Sequence, residues 1–150
     1  MIWVERIKRF PSVFWHGSNL RNQGPNELRV PLATFRSMKP TIQYELFAQV
    51  QMQVGRVLDV QSFPEAVKPA FIITVDFGEE RGILKTSAQL TERYLPQDLL
   101  GKLVVGVTNF PKKQIGPMMS EFLLLGALDA TTGTAIVQVR EDVPLGTSIA

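Results

Sequence analysis

Cysteine is absent from the 150 residues and histidine occurs once. The first absence removes disulfides, cysteine-ligated zinc and thiol catalysis together, and allows a cytoplasmic location. The single histidine, His16, lies in an unpatterned segment and reads as a solvent-exposed bystander. With no second histidine and no cysteine, the usual nucleophile-base pairs are not assembled. Neither GxxxxGK[ST] nor GxGxxG occurs, so the phosphate-cradling glycine loops are missing. No apolar run approaches the roughly 20 residues that a membrane helix needs, so no membrane insertion is expected. Acidic pairs occur at Glu79-Glu80 and Glu141-Asp142, but beside glycine or proline, where solvated carboxylates are ordinary. No catalytic residue, metal site or cofactor is expected. The chain reads as a binding protein rather than an enzyme.

What is present is charge of uneven distribution. Residues 1–40 carry seven Lys and Arg against two acids, whereas residues 41–150 carry nine against twelve. The first segment is therefore +5 and the remainder −3. The sequence pI of 9.1 belongs to the N-terminal segment, and a whole-protein argument from basicity to nucleic acid would be misplaced. That segment holds four prolines and both tryptophans and shows no sustained period. Three readings stay open: a disordered basic arm, a targeting peptide, or upstream sequence outside the natural protein. A start at Met38 would open the chain directly before its first periodic stretch.

From Thr41 the pattern changes. Ile42, Leu46 and Val50 recur every four residues beside Tyr44 and Phe47, which predicts a short amphipathic helix packed on a core and capped by Thr41. Short β-type runs follow at 54–60, 70–77, 82–88, 103–109, 121–128 and 135–140. In the second, Phe71, Ile73, Val75 and Phe77 alternate with Ile72, Thr74 and Asp76. Residues 92–102 are the exception, a short helix or turn whose length Pro96 limits. Six short strands with so little helix predict an all-β fold, an OB-type barrel with short flanking helices, over residues 41–150.

Two stretches offer binding chemistry. Between the fourth and fifth runs lies NFPKKQIGPMMSE (109–121), read as a loop. For a nucleic acid it supplies Lys112 and Lys113 for phosphates, the Asn109 amide and Ser120 hydroxyl for polar readout, and Phe110 for stacking. For a peptide it supplies Met118 and Met119, flexible side chains that conform to varied apolar ligands. The plain alternative is a solvated turn followed by core methionines. In LKTSAQLTERY (84–94), Lys85, Thr86, Ser87 and Gln89 gather around Ala88 at a strand end, leaving room for a ligand or simply capping a helix.

Taken together, VGRV, FPEAVKPAFIITVDFG, SAQLT, VTNFP, SEFLLLG and the closing VPLGTSI resemble, in order and spacing, the CsaA protein-secretion chaperones. These belong to the wider tRNA-binding-domain superfamily, which includes the C-terminal appendage of bacterial methionyl-tRNA synthetase. The resemblance implies an OB-fold homodimer, with an apolar cavity near the dimer interface for extended segments of unfolded preproteins, and a link to the secretion motor SecA. It implies that Ser87, Ala88, Gln89, Met118, Met119, Ser120 and Glu121 line or shape that cavity. It also implies that Asn109, Lys112 and Lys113 face RNA in the tRNA-binding relatives. This chain has KTSAQ where relatives often have QSSAQ, so Lys85 brings a charge to the cavity.

Two functions follow as expectations: a chaperone-like homodimer that binds preprotein segments and assists export, or an accessory module that binds tRNA. The charge of −3 over residues 41–150 favours the first, since phosphate-driven affinity wants a basic surface.

Overall fold

The computed structural model describes residues 39–150. The expectations for the preceding segment, with His16 and Met38, lie outside the described residues. Within the described chain the organising element is β1 (Met52–Ser62), an eleven-residue strand that serves two neighbours in turn. Its first half, Met52 to Arg56, pairs antiparallel with β4 (Leu103–Val107). Its second half, Arg56 to Ser62, pairs antiparallel with β2 (Phe71–Asp76). The change of partner coincides with an irregularity between Val57 and Asp59, where the extra residue bends the strand and re-aims it. β2 continues to β3 (Ile83–Ala88), and β4 to the two-residue β7 (Leu123–Leu124), giving the order β3-β2-β1-β4-β7. A long bent strand flanked on both sides is how an antiparallel sheet curls into a small barrel. The expected OB-type barrel is therefore present.

Period-two alternation decides what the barrel buries. Along β2 the burial alternates strictly, with Phe71, Ile73 and Val75 inside and Ile72, Thr74 and Asp76 outward. Val57, Leu90, Val104 and Phe122 complete the same core. Phe77 and Phe122 meet edge to face with ring centroids 5.0 Å apart, and each buried ring contributes about 2–3 kcal/mol of transfer free energy. The rings come so close to the backbone that two strand positions must lack a side chain. A Cβ at Gly55 would stand 2.5 Å from Val75 Cγ1, and one at Gly106 would stand 2.7 Å from Phe122 Cδ2.

Several local expectations are corrected. α1 (Tyr44–Ala48) forms, but its N-cap is Gln43 rather than Thr41, and it buries no residue. Its apolar side chains stay out of the barrel core: Tyr44 is 72% exposed and Leu46 55%. The periodicity is real, but the surface it serves is not this core. The stretch 109–121 is not a simple loop. β5 (Lys113–Ile115) and β6 (Met118–Ser120) form a hairpin, because Gly116 takes a φ of +53° and turns the chain in two residues. Pro96 opens α2 (Pro96–Leu99) rather than limiting it. A proline in the first turn has no amide hydrogen to miss, and the Asp98 carboxylate accepts the Leu95 N–H at 2.8 Å. The run 121–128 changes partner part-way, from β4 at β7 to β9 (Ala135–Ile136) at β8 (Gly126–Ala127). Near the end of the chain β10 (Ser148–Ile149) adds to β1 at Met52 and Gln53.

Candidate functional site

Of the residues singled out on SAQ and MMSE, Ser120 and Glu121 meet β3 at Lys85 and Thr86, where the sheet edge approaches the hairpin. The Lys85 carbonyl accepts the Glu121 N–H at 2.8 Å, and the Lys85 N–H is received by Glu121 Oε2 at 3.0 Å. One residue on, Thr86 Oγ1 donates to the Phe122 carbonyl at 2.9 Å. Ser120 Oγ lies 3.0 Å from Thr86 Oγ1 and 3.3 Å from the same Phe122 carbonyl, so the two hydroxyls share their hydrogens among these three oxygens. Both hydroxyls are buried. A buried hydroxyl without a partner costs about 1–3 kcal/mol, so this pair is matched to its place. Ser87, on the other face of β3, is different. It is 1% exposed, and its Oγ has no hydrogen-bond partner among the described residues.

Strand alternation separates the two methionines. Met118 pairs with Ile115 and packs on a small apolar cluster of Phe63, Ala70 and Ile115, whereas Met119 stands outward and exposed. Ala88 is fully buried in the core. Ser87, Ala88 and Ser120 thus sit inside the domain, Gln89, Met118 and Glu121 are half-buried, and Met119 offers solvent-facing surface.

The three residues read for nucleic acid are also engaged. Lys112 Nζ donates to Glu121 Oε1 at 2.7 Å. Burial pushes the Glu121 carboxyl up, but the bonds from Lys112 and the Lys85 N–H and the two nearby lysine charges outweigh it, and its pKa lies below the ordinary 4.5. The Asn109 side chain accepts the Gln51 N–H at 2.9 Å and donates to the Gln49 carbonyl at 2.7 Å. It ties the end of β4 to the chain between α1 and β1. Lys113 belongs to β5, opposite Ser120.

Beside Gln89 runs a trough that sequence reasoning missed. Two hollows of about 340 and 330 Å³ share Pro69 and Thr91. The first is mainly apolar, lined by Phe63, Pro64, Ala66, Ala70 and Phe71. The second is polar, with Lys68, Gln89, Glu92, Asp129 and Thr134. Its far wall is a rigid turn in which the Thr131 hydroxyl and N–H and the Thr132 hydroxyl all donate to Asp129, holding that carboxyl well below the usual range. Arg93 reaches across to Thr132 Oγ1 at 3.1 Å and secures the wall. The available signal was SFPEAVKPA (62–70), where two prolines punctuate small apolar residues.

Among the described residues no group of three or more His, Asp or Glu is placed to hold a metal ion, and no helix is long and apolar enough to cross a membrane. The family model "Putative tRNA binding domain" matches residues 52–148, which is the whole barrel. The chain belongs to that family. Among curated proteins, this tRNA-binding domain is 32% identical over 108 residues to a methionine–tRNA ligase of Pyrococcus horikoshii, covering 72% of this chain and 14% of the relative. It is 33% identical to that of Nanoarchaeum equitans, covering 72% and 13%. The chain thus spans about one-seventh of these curated relatives. Among solved structures it is similar to the chaperone CsaA of Bacillus anthracis, at 36% identity and a TM-score of 0.70, covering 74% of this chain and 100% of that one. The CsaA chaperone of Picrophilus torridus is alike at 36% and 0.69, covering 73% and 100%.

Proposed function

We propose that this tRNA-binding-family domain, the unit formed by residues 41–150, works as a CsaA-like homodimeric chaperone that holds unfolded preprotein segments and assists their export. It would act without catalysis, on the cytoplasmic side, with SecA as the downstream partner. The observation that carries this reading is the trough at the Gln89 end of β3, whose apolar hollow adjoins a polar one. An extended peptide presents alternating side chains and free backbone groups, and such a surface suits both. The likeness to two CsaA chaperones over their full lengths supports it. The outward face of α1, with Tyr44, Leu46 and Phe47 exposed, supports a twofold partner. Two equivalent troughs on one dimer would act on one unfolded chain through effective concentration.

A second reading, tRNA binding, is favoured by the family match itself. The full chain titrated with an unfolded preprotein and with tRNA at several salt concentrations separates the two. Chaperone function requires preprotein binding that survives added salt, whereas phosphate-driven binding collapses with it. Affinity for preprotein weaker than about 100 μM, worth roughly 5.5 kcal/mol, would dismiss the chaperone reading. Light scattering of the same sample at twice the chain mass is required for the dimer.

A further inference from the structure

The domain's negative balance conceals a local excess of positive charge away from the hairpin. Three chain segments meet around Leu103: β1 at Arg56, which pairs with Leu103; the turn before β4 at Gly101 and Lys102; and residues 138–140, whose Val139 N–H reaches the Leu103 carbonyl at 3.3 Å. Between them lies a groove of about 600 Å³ lined by Arg56, Lys102, Gln138, Arg140 and Asp142. Three cations face one acid.

Arg56 is held at the wall of the groove by two contacts. Arg56 Nη1 donates to the Gly101 carbonyl at 3.3 Å, and its Nη2 meets Asp142 Oδ1 at 3.2 Å. The first bond fixes the guanidinium against the turn. The second is an exposed ion pair, with the Asp142 side chain 88% accessible, and such a pair is easily exchanged for another acceptor. Lys102 and Arg140 are exposed, and their charged groups have no hydrogen-bond or ion-pair partner among the described residues. Lys112, by contrast, is already matched by Glu121 at 2.7 Å.

We propose that the groove of Arg56, Lys102 and Arg140 is a phosphate-binding subsite for an RNA backbone, with Asp142 as the resident counter-ion that the phosphate displaces. Guanidinium groups present paired donors to phosphate oxygens, a lysine adds a mobile point charge, and Gln138 offers a neutral donor for a sugar hydroxyl. The groove reads backbone and carries no means of reading sequence. The proposal rests on the tRNA-binding reading and says which surface performs it.

The test is anisotropy of labelled tRNA with the full chain between about 50 and 200 mM salt. Lys102→Ala and Arg140→Ala are each expected to weaken binding about fivefold and to reduce the salt slope by about 1. Asp142→Asn is expected to tighten binding about threefold, a change of sign that misfolding cannot produce. Wild-type binding of tRNA with all three variants unchanged would overturn the subsite and leave the tRNA-binding reading intact. No binding of tRNA by the wild type would overturn both.

Discussion

Lys112 and Glu121 are joined at 2.7 Å, and the other oxygen of the same carboxylate receives the Lys85 N–H at 3.0 Å. One acid therefore closes the barrel between β3 and the hairpin and neutralises one of the two lysines read as a phosphate contact. Glu121→Ala is expected to destabilise the domain by about 1–3 kcal/mol, since it strips a main-chain donor and an ammonium of their acceptor. Glu121→Gln keeps an acceptor for Lys85 and is expected to cost less. Urea unfolding of both variants checks the order.

The same carboxyl gives a pH signature. Its pKa is lowered in the folded chain, so its contribution is fully present above the unfolded value near 4.5 and is lost as pH falls through the lower folded value. The stability gap between wild type and Glu121→Gln should hold from neutrality to about pH 5 and narrow in more acidic solution. A gap that widens on acidification would contradict the assignment.

Thr86 and Ser87 are neighbours with opposite expectations. Thr86→Val removes a buried hydroxyl bonded to both the Phe122 carbonyl and Ser120, and is expected to cost about 1–2 kcal/mol. Ser87→Ala removes a buried hydroxyl that has no partner among the described residues, and is expected to be neutral or slightly stabilising. Thermal melts of the two variants measure the contrast.

Gly106→Ala places a Cβ 2.7 Å from Phe122 Cδ2 and 2.9 Å from Phe77 Cζ. The edge-to-face ring pair must separate to admit it, at a cost of about 1–3 kcal/mol. The near-ultraviolet circular dichroism of the domain should change along with the unfolding midpoint.

Leu46→Asp puts a charge on the outward face of α1, which buries no residue in the barrel. If that face is a twofold contact, the variant runs as a monomer on light scattering while its barrel keeps its melting temperature within a few degrees. Unchanged dimer mass would locate the contact elsewhere.

The barrel was legible because its information is local. Alternation along Phe71 to Phe77 states which side is buried, and glycine and proline mark the strand ends, so strand positions came out nearly in place. The helix at Tyr44–Ala48 was legible as an amphipathic pattern but misread as packed on the core, because periodicity gives the direction of an apolar face without naming what covers it. Asn109 and Lys112 were legible as polar groups, but their bonds to Gln49, Gln51 and Glu121 were not. The Gln49 partner of Asn109 lies 60 residues away, beyond any sequence window, and the Lys112–Glu121 pair, only nine residues apart, depends on the hairpin between them.

What the sequence determined alone was composition and period: no thiol chemistry, an acidic domain behind a basic segment, short alternating strands, and the family motifs. What only the tertiary structure decided was which charges gather at one place. Arg56, Lys102 and Arg140 are far apart in the chain and share no motif, but antiparallel register sets them around Leu103 in one groove. Of the adjacent pair Lys112 and Lys113, Lys112 lies where a carboxylate is already bound. Register is a property of paired strands, and charge balance at a point depends on every segment that reaches it, so neither can be read from one stretch of chain.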